Sequence, residues 1–201
     1  MSTNIVNLFN CPVYNSLLKL NNKDLEEHCY LLKKKDEGRI LSNKGGWQSN
    51  LITTDTILLN NFLKTTLEHI KKYCNLFEIK SSYVPYIHQL WININQYKDF
   101  NSHHVHSDSF ISGVYYVKSD ALISGNIVFY SPNHLLKCMM LNDDWFDNFN
   151  EINSIKWEFK PIQDTLYLFP SYLVHEANPN MNKNSDRISI AFNVKLKKIN
   201  E

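Results

Sequence analysis

Two segments far apart in the chain carry the side chains best suited to chemistry. One is His103-His104-Val105-His106-Ser107-Asp108, and the other is His175 followed by Arg187-Ile188-Ser189. On an extended strand, residues two apart share a face, so His104 and His106 point together, as do His106 and Asp108, while His103 and Val105 face away. Either pair can give two ligands to one metal ion, with His175 as a third. Three ligands on one side of an octahedral metal leave the other positions open for a cosubstrate and oxygen. The pairings differ in charge: Asp108 would set a carboxylate beside the metal, whereas His104 with His106 makes an all-histidine site. Arg187, Ser189, Ala191 and Asn193 alternate with Ile188, Ile190 and Phe192. An inward arginine on such a strand is costly unless an anion pairs with it. A dicarboxylate suits a guanidinium, which binds carboxylate through two hydrogen bonds; a salt bridge to an acid of the protein is the ordinary alternative.

These residues need strands to hold them, and the second half of the chain supplies the pattern. Tyr86 to Asn95 places His88, Leu90, Ile92 and Ile94 on one face and Gln89, Trp91, Asn93 and Asn95 on the other. Further strands are expected over Ser102–Ser107, Phe110–Lys118, Gly125–Tyr130, Ile155–Phe159, Thr165–Phe169 and Arg187–Lys195, divided by Asn, Asp, Ser and Pro turns. Helical spacing comes earlier. Asn22 is a candidate cap for a helix from Lys23 to about Lys35, and Thr54 or Asp55 for one reaching Cys74, whose Leu59, Phe62, Leu63, Leu67 and Ile70 form one apolar face. Several short strands with helices packed on one sheet predict a mainly β fold, antiparallel sandwich or barrel, with N-terminal helices.

Two segments stand outside this pattern. Gly38 to Asn50, rich in turn residues around Trp47, reads as a surface loop anchored by one aromatic, with a lid or substrate contact as the sharper alternative. Ser131 to Asn153 is acidic yet contains Trp145, Phe146 and Phe149, and its length makes it a candidate substrate-covering element.

The 201 residues are enough for one domain with a proper core. A net charge of +1 gives no general attraction to nucleic acid or membrane. No segment is apolar long enough to span a bilayer and the N-terminus lacks the pattern of a secretion signal, so a cytoplasmic protein is expected. The four cysteines, Cys11, Cys29, Cys74 and Cys138, are scattered without a Cys-x-x-Cys pair, which argues against a zinc ribbon or disulfide framework.

Several runs carry a specific resemblance: 42–49 (SNKGGWQS), 104–117 (HVHSDSFISGVYYV), 125–129 (GNIVF), 169–175 (FPSYLVH) and 187–193 (RISIAFN). Across nearly the whole chain the sequence resembles a family of 2-oxoglutarate- and Fe(II)-dependent oxygenases of marine bacteria and their phages, and more distantly the prolyl hydroxylases. The resemblance implies a double-stranded β-helix, the jelly roll also seen in cupins. It implies a single oxygenase domain over 1–201, with helical support and loops in 1–85 and the jelly-roll core in 86–201.

Fe(II), 2-oxoglutarate and O2 are the implied cofactors. The implied reaction is hydroxylation of a C–H bond in a protein or peptide side chain or a small metabolite, with decarboxylation of 2-oxoglutarate to succinate. The family's first segment usually reads His-x-His-Pro, which carries His104, His106 and His175 over as metal ligands and leaves Asp108 as the alternative. Ser107 replaces the proline, and Asp164 stands where a turn glycine is usual. Arg187 carries over as the holder of the distal carboxylate of 2-oxoglutarate, with Ser189 beside it, and Tyr116 aligns with a prolyl hydroxylase tyrosine that touches the same group. Asn93, Asn95 and Asn193 are candidates for the pocket mouth. The rivals are a three-histidine iron dioxygenase that uses no 2-oxoglutarate, a noncatalytic jelly-roll binding module and, last, a zinc hydrolase. A homodimer is compatible with the sequence, and a nucleic-acid partner is disfavoured.

Overall fold

The computed structural model of the chain describes residues 4–5, 8–53 and 57–199. The first half contains β1 (Tyr14–Leu17), α1 (Asn22–Lys33), β2 (Asn43–Lys44), β3 (Trp47–Gln48), α2 (Ile57–Cys74) and β4 (Tyr83–Asn95). Then follow β5 (Phe100–His104), β6 (Ile111–Lys118), β7 (Ile127–Tyr130), α3 (His134–Met140), β8 (Lys156–Phe159), β9 (Thr165–Pro170), β10 (His175–Ala177) and β11 (Arg187–Lys198).

The strands form two antiparallel sheets. The major sheet runs β1-β9-β6-β11-β4-β3 and the minor sheet β2-β5-β10-β7-β8. This is the double-stranded β-helix, with helices packed on the outer face of the major sheet.

Alternation in β4, β6 and β11 divides that sheet into two chemistries. Leu90, Ile92, Ile94, Tyr115, Ile188, Ile190 and Phe192 face the helices and pack with Leu25, Cys29, Leu59, Phe62, Ile70 and Tyr73 into the main core. Burying this face against α1 and α2 supplies most of the hydrophobic stabilisation and leaves the opposite face free to be polar. A smaller cluster of Ile127, Phe129, Phe169 and Leu173 fills part of the space between the sheets.

The structure departs from the sequence reading in several places. The cap of α1 is Asn21, whose side chain accepts from the Asp24 N–H, rather than Asn22. The proposed caps of α2, Thr54 and Asp55, lie outside the described residues. Residues 1–85 are more than helices and loops, because β1, β2 and β3 complete edges of both sheets. Strand β5 begins at Phe100 and ends at His104, so His106 is not on it. His106 is instead pinned by its N–H, which donates to the Ser171 carbonyl at 2.9 Å.

Candidate metal centre

The register of the minor sheet brings two of the histidines together. His175 opens β10 directly opposite His104, the last residue of β5. His106 reaches the same point from the turn beyond β5, held by the segment that leads into His175. Each histidine offers one ring nitrogen within a cluster whose atoms all lie within 4.8 Å of one another, and no other such group of potential metal ligands occurs among the described residues. Ring centroids are 4.3 Å apart for His104 and His175, 5.0 Å for His104 and His106, and 5.2 Å for His106 and His175.

The rings are prepared as neutral donors. His104 Nδ1 lies 2.8 Å from the Ser102 carbonyl and His175 Nδ1 lies 2.9 Å from the Leu173 carbonyl. A carbonyl can only accept, so Nδ1 of each ring carries the proton and Nε2 keeps its lone pair. Burial, reinforced by His104, lowers the pKa of His106 to about 4. Burial likewise holds His104 below its ordinary value and His175 well below it. Neutral imidazoles in this number suit a first-row transition ion such as iron(II).

Asp108 is not part of this cluster. It is exposed, and its carboxylate pairs with Lys195 Nζ at 2.7 Å, which holds its pKa down. The chain turns after His104, so the two-residue alternation that would have aligned Asp108 with His106 does not continue.

Across the cavity, the inner face of the major sheet presents Arg187, Ser189, Asn93, Asn95, Asn193 and Tyr116. In the ladders of β11, Ser189 pairs with Asn93 and Tyr116, and Arg187 with Asn95. Arg187 is 1 % exposed. Its Nη1 donates to the carbonyls of Ser124 (2.6 Å), Gly125 (3.0 Å) and Asn178 (2.8 Å), which fixes the guanidinium plane. No salt bridge among the described residues involves it, and its Nη2 is buried with no hydrogen-bond partner. An unsatisfied buried cation is costly, and a carboxylate reaching Nη2 would remove the cost. Burial pushes the Tyr116 phenol up to about 12, against the pull of Arg187, so it remains a hydroxyl donor.

Sequence reasoning missed other members of this cavity of about 320 Å³: Arg39, Leu41, Ser42, Gln48, Gln89, Trp91 and Asn101 among them. Alternation had placed Gln89 and Trp91 on the correct face without giving them a role. Asn193 Nδ2 donates to Gln89 Oε1 (2.7 Å), and its Oδ1 accepts from Ser112 Oγ (2.8 Å), itself 2.8 Å from Ser171 Oγ. The 38–50 segment is a wall of the cavity rather than only a surface loop. The 131–153 segment, in contrast, gives no residue to this cavity; with β8 it lines a separate hollow.

Comparison with known proteins places this arrangement. The family model "Putative 2OG-Fe(II) oxygenase" matches residues 89–193, just over half of the chain and all three histidines with Arg187. No curated protein matches the sequence.

Among solved structures, the chain is similar to a viral collagen prolyl hydroxylase of Paramecium bursaria Chlorella virus-1 in complex with 2-oxoglutarate. That match has a TM-score of 0.58 and 13% identity, covering 90% of this chain and 94% of that one. It is also similar to a Trichoplax adhaerens prolyl hydroxylase bound to a hypoxia-inducible-factor peptide fragment (TM-score 0.60, 14% identity, 92% and 82% covered). The α-ketoglutarate-dependent carbocyclase SnoK of nogalamycin biosynthesis matches as well (TM-score 0.61, 10% identity, 90% and 78% covered). At such identities the likeness is one of fold. The cofactors of the matched family are Fe(II), 2-oxoglutarate and O2, which the neutral histidine cluster and the unpaired Arg187 nitrogen fit. The chain belongs to the 2OG-Fe(II) oxygenase family.

Proposed function

We propose that the chain works as a single oxygenase domain that hydroxylates a C–H bond of a protein or peptide side chain or a small metabolite. His104, His106 and His175 hold Fe(II), and Arg187, with Ser189 and Tyr116, holds the distal carboxylate of 2-oxoglutarate. The observation that carries this reading is the meeting, in one cavity, of three neutral imidazoles and a buried guanidinium nitrogen that lacks a partner. Bound together, the cofactors supply the oxidant for the C–H bond, with 2-oxoglutarate decarboxylated to succinate. The protein's own contribution is placement. The three carbonyls on Nη1 stop Arg187 from turning, so its remaining donors have one direction to offer. Trp91, Ile127 and Phe169 line the cavity beside the histidines and limit water there.

A three-histidine dioxygenase without 2-oxoglutarate would leave the Arg187 nitrogen unpaired, and a noncatalytic binding module would have no use for three converging neutral histidines. The fold neighbours include both hydroxylases and a carbocyclase, so the fold alone does not select the outcome at the C–H bond.

The test is to add Fe(II) and 2-oxoglutarate without oxygen, follow the visible charge-transfer band of the chelate, then admit oxygen and measure succinate. Absence of both band and succinate at saturating cosubstrate would end the proposal. Two variants choose between the ligand sets: His106→Ala is expected to abolish iron binding and Asp108→Ala to retain it. The reverse result would move the carboxylate back into the metal centre.

A further inference from the structure

Arg39 is a charged residue of the cavity for which the proposed chemistry has no use. It stands on the 38–50 segment, outside the stretch that matches the family model. Its backbone is held on both sides: the N–H donates to the Gln48 carbonyl at 2.8 Å, and the carbonyl accepts from Asn43 Nδ2 at 3.2 Å. No carboxylate among the described residues pairs directly with the side chain, and the charge of Asp36 favours it only through space. Its Nε is buried without a hydrogen-bond partner, and no salt bridge among the described residues includes it. Asp36, three residues earlier, spends its carboxylate on the N–H groups of Gly38 and Asn50 and on Asn50 Nδ2.

The charges around the cavity point the same way. With neutral histidines, iron(II) and the dianion of 2-oxoglutarate cancel each other. Arg187 and Arg39 then bring two positive charges against the single acid among the lining residues, Glu176. Both Glu176 oxygens are already engaged, by the Tyr130 hydroxyl at 2.8 Å and by His103 Nδ1 at 3.3 Å. Asp36 and Asp99 act on Arg39 and Arg187 only through space, without a direct ion pair, so an anionic ligand that reaches the guanidiniums inside the cavity is favoured.

We infer that the substrate is a small organic acid whose carboxylate is held by Arg39, with the amides of Gln48, Gln89, Asn93 and Asn101 completing a polar lining. The inference rests on the 2-oxoglutarate reading, because it takes Arg187 to be filled by the cosubstrate. The cavity of about 320 Å³ must also take iron(II) and 2-oxoglutarate, so the part left on the Arg39 side fits a free amino acid or one chain end.

The test uses the full chain without oxygen, with Fe(II) and saturating 2-oxoglutarate. Cosubstrate binding is read first; its failure in wild type would overturn the proposed function and this inference together. The standard free L-amino acids are then titrated, and beside them tripeptides with a free or an amidated C-terminus, with calorimetry and the shift of the visible band as readouts. Wild type, Arg39→Met and Arg39→Lys are compared. At least one free-carboxylate probe is expected to bind wild type, about tenfold or more weakly to Arg39→Met, and in between to Arg39→Lys. The three proteins are expected to bind 2-oxoglutarate equally, which also shows that the variants fold.

Preference for free amino acids over free-ended tripeptides, or the opposite, identifies the source of the carboxylate. The inference is overturned if no carboxylate probe prefers wild type to Arg39→Met, or if the amidated tripeptide binds as well as the free one. It is also overturned if Arg39→Met loses affinity for 2-oxoglutarate, which would assign Arg39 to the cosubstrate.

Discussion

Removing water from an imidazole favours its uncharged form, and three histidines share that effect in one small volume. In the unfolded chain each takes up a proton near the ordinary value of 6.5, whereas in the metal-free folded chain His106 resists until about 4. Between those values the unfolded state binds more protons than the folded one. Stability is therefore fully present above about pH 6.5 and declines as the pH falls, by up to about 1.4 kcal/mol per pH unit for each histidine that stays neutral. Denaturant titrations of the metal-free protein between pH 7.5 and 4 should show this slope, and His106→Gln should flatten it. A stability that is constant over the range would mean that the rings are wetter than their burial implies.

At the level of strands and turns, Asp164 links the site's scaffold to the first helix. It precedes β9 with φ of +67°, a conformation that favours glycine, and yet it is an aspartate. Its Oδ1 accepts from Asn22 Nδ2 at 2.7 Å and lies 3.1 Å from the Tyr115 hydroxyl, so the side chain ties α1 to β6 and β9. Replacement by alanine keeps the backbone strain and loses the tie, and is expected to cost about 2 kcal/mol; glycine relieves the strain and is expected to cost less. Thermal unfolding of the two variants orders them, and an alanine variant more stable than the glycine one would refute this account.

The departure at Asp164 was visible in the sequence, whereas its hydrogen bonds were not. Long elements were legible for the same kind of reason: Arg187–Asn193 of β11 and Gln89–Asn95 of β4 alternate strictly enough for period alone to assign both faces, but a register shift skips His88, so Ile87 and not His88 packs with Leu90 against the core. The pocket positions of Arg187, Ser189, Asn93, Asn95 and Asn193 followed from that alternation. Strands β2, β3 and β10 have only two or three residues each and exist because their partners do, so no local pattern announces them. For the same reason Arg39 was missed: the segment that carries it is a wall only once β2 and β3 have paired with β5 and β4.

In the whole molecule, two histidines lie on the minor sheet, His104 and His175, and the groups proposed for the distal carboxylate lie on the major one. A cosubstrate held at both ends would connect the sheets. Iron(II) and 2-oxoglutarate together should therefore raise the melting temperature without oxygen, by the equivalent of about 2.7 kcal/mol at a hundredfold excess over Kd. Arg187→Lys should keep the rise due to iron and lose most of the part due to 2-oxoglutarate. Equal responses in the two proteins would place the carboxylate elsewhere.

The edge-to-face pair Phe129 and Phe169, one from each sheet with ring centroids 4.8 Å apart, then acquires a further meaning. With the cosubstrate held as proposed, spacing the sheets would make it a caliper for how many carbons a keto acid has between its two ends. Core packing at these two phenylalanines would thereby become a determinant of cosubstrate length, and a change in their volume could alter which keto acid fits while every residue that grips it stayed the same.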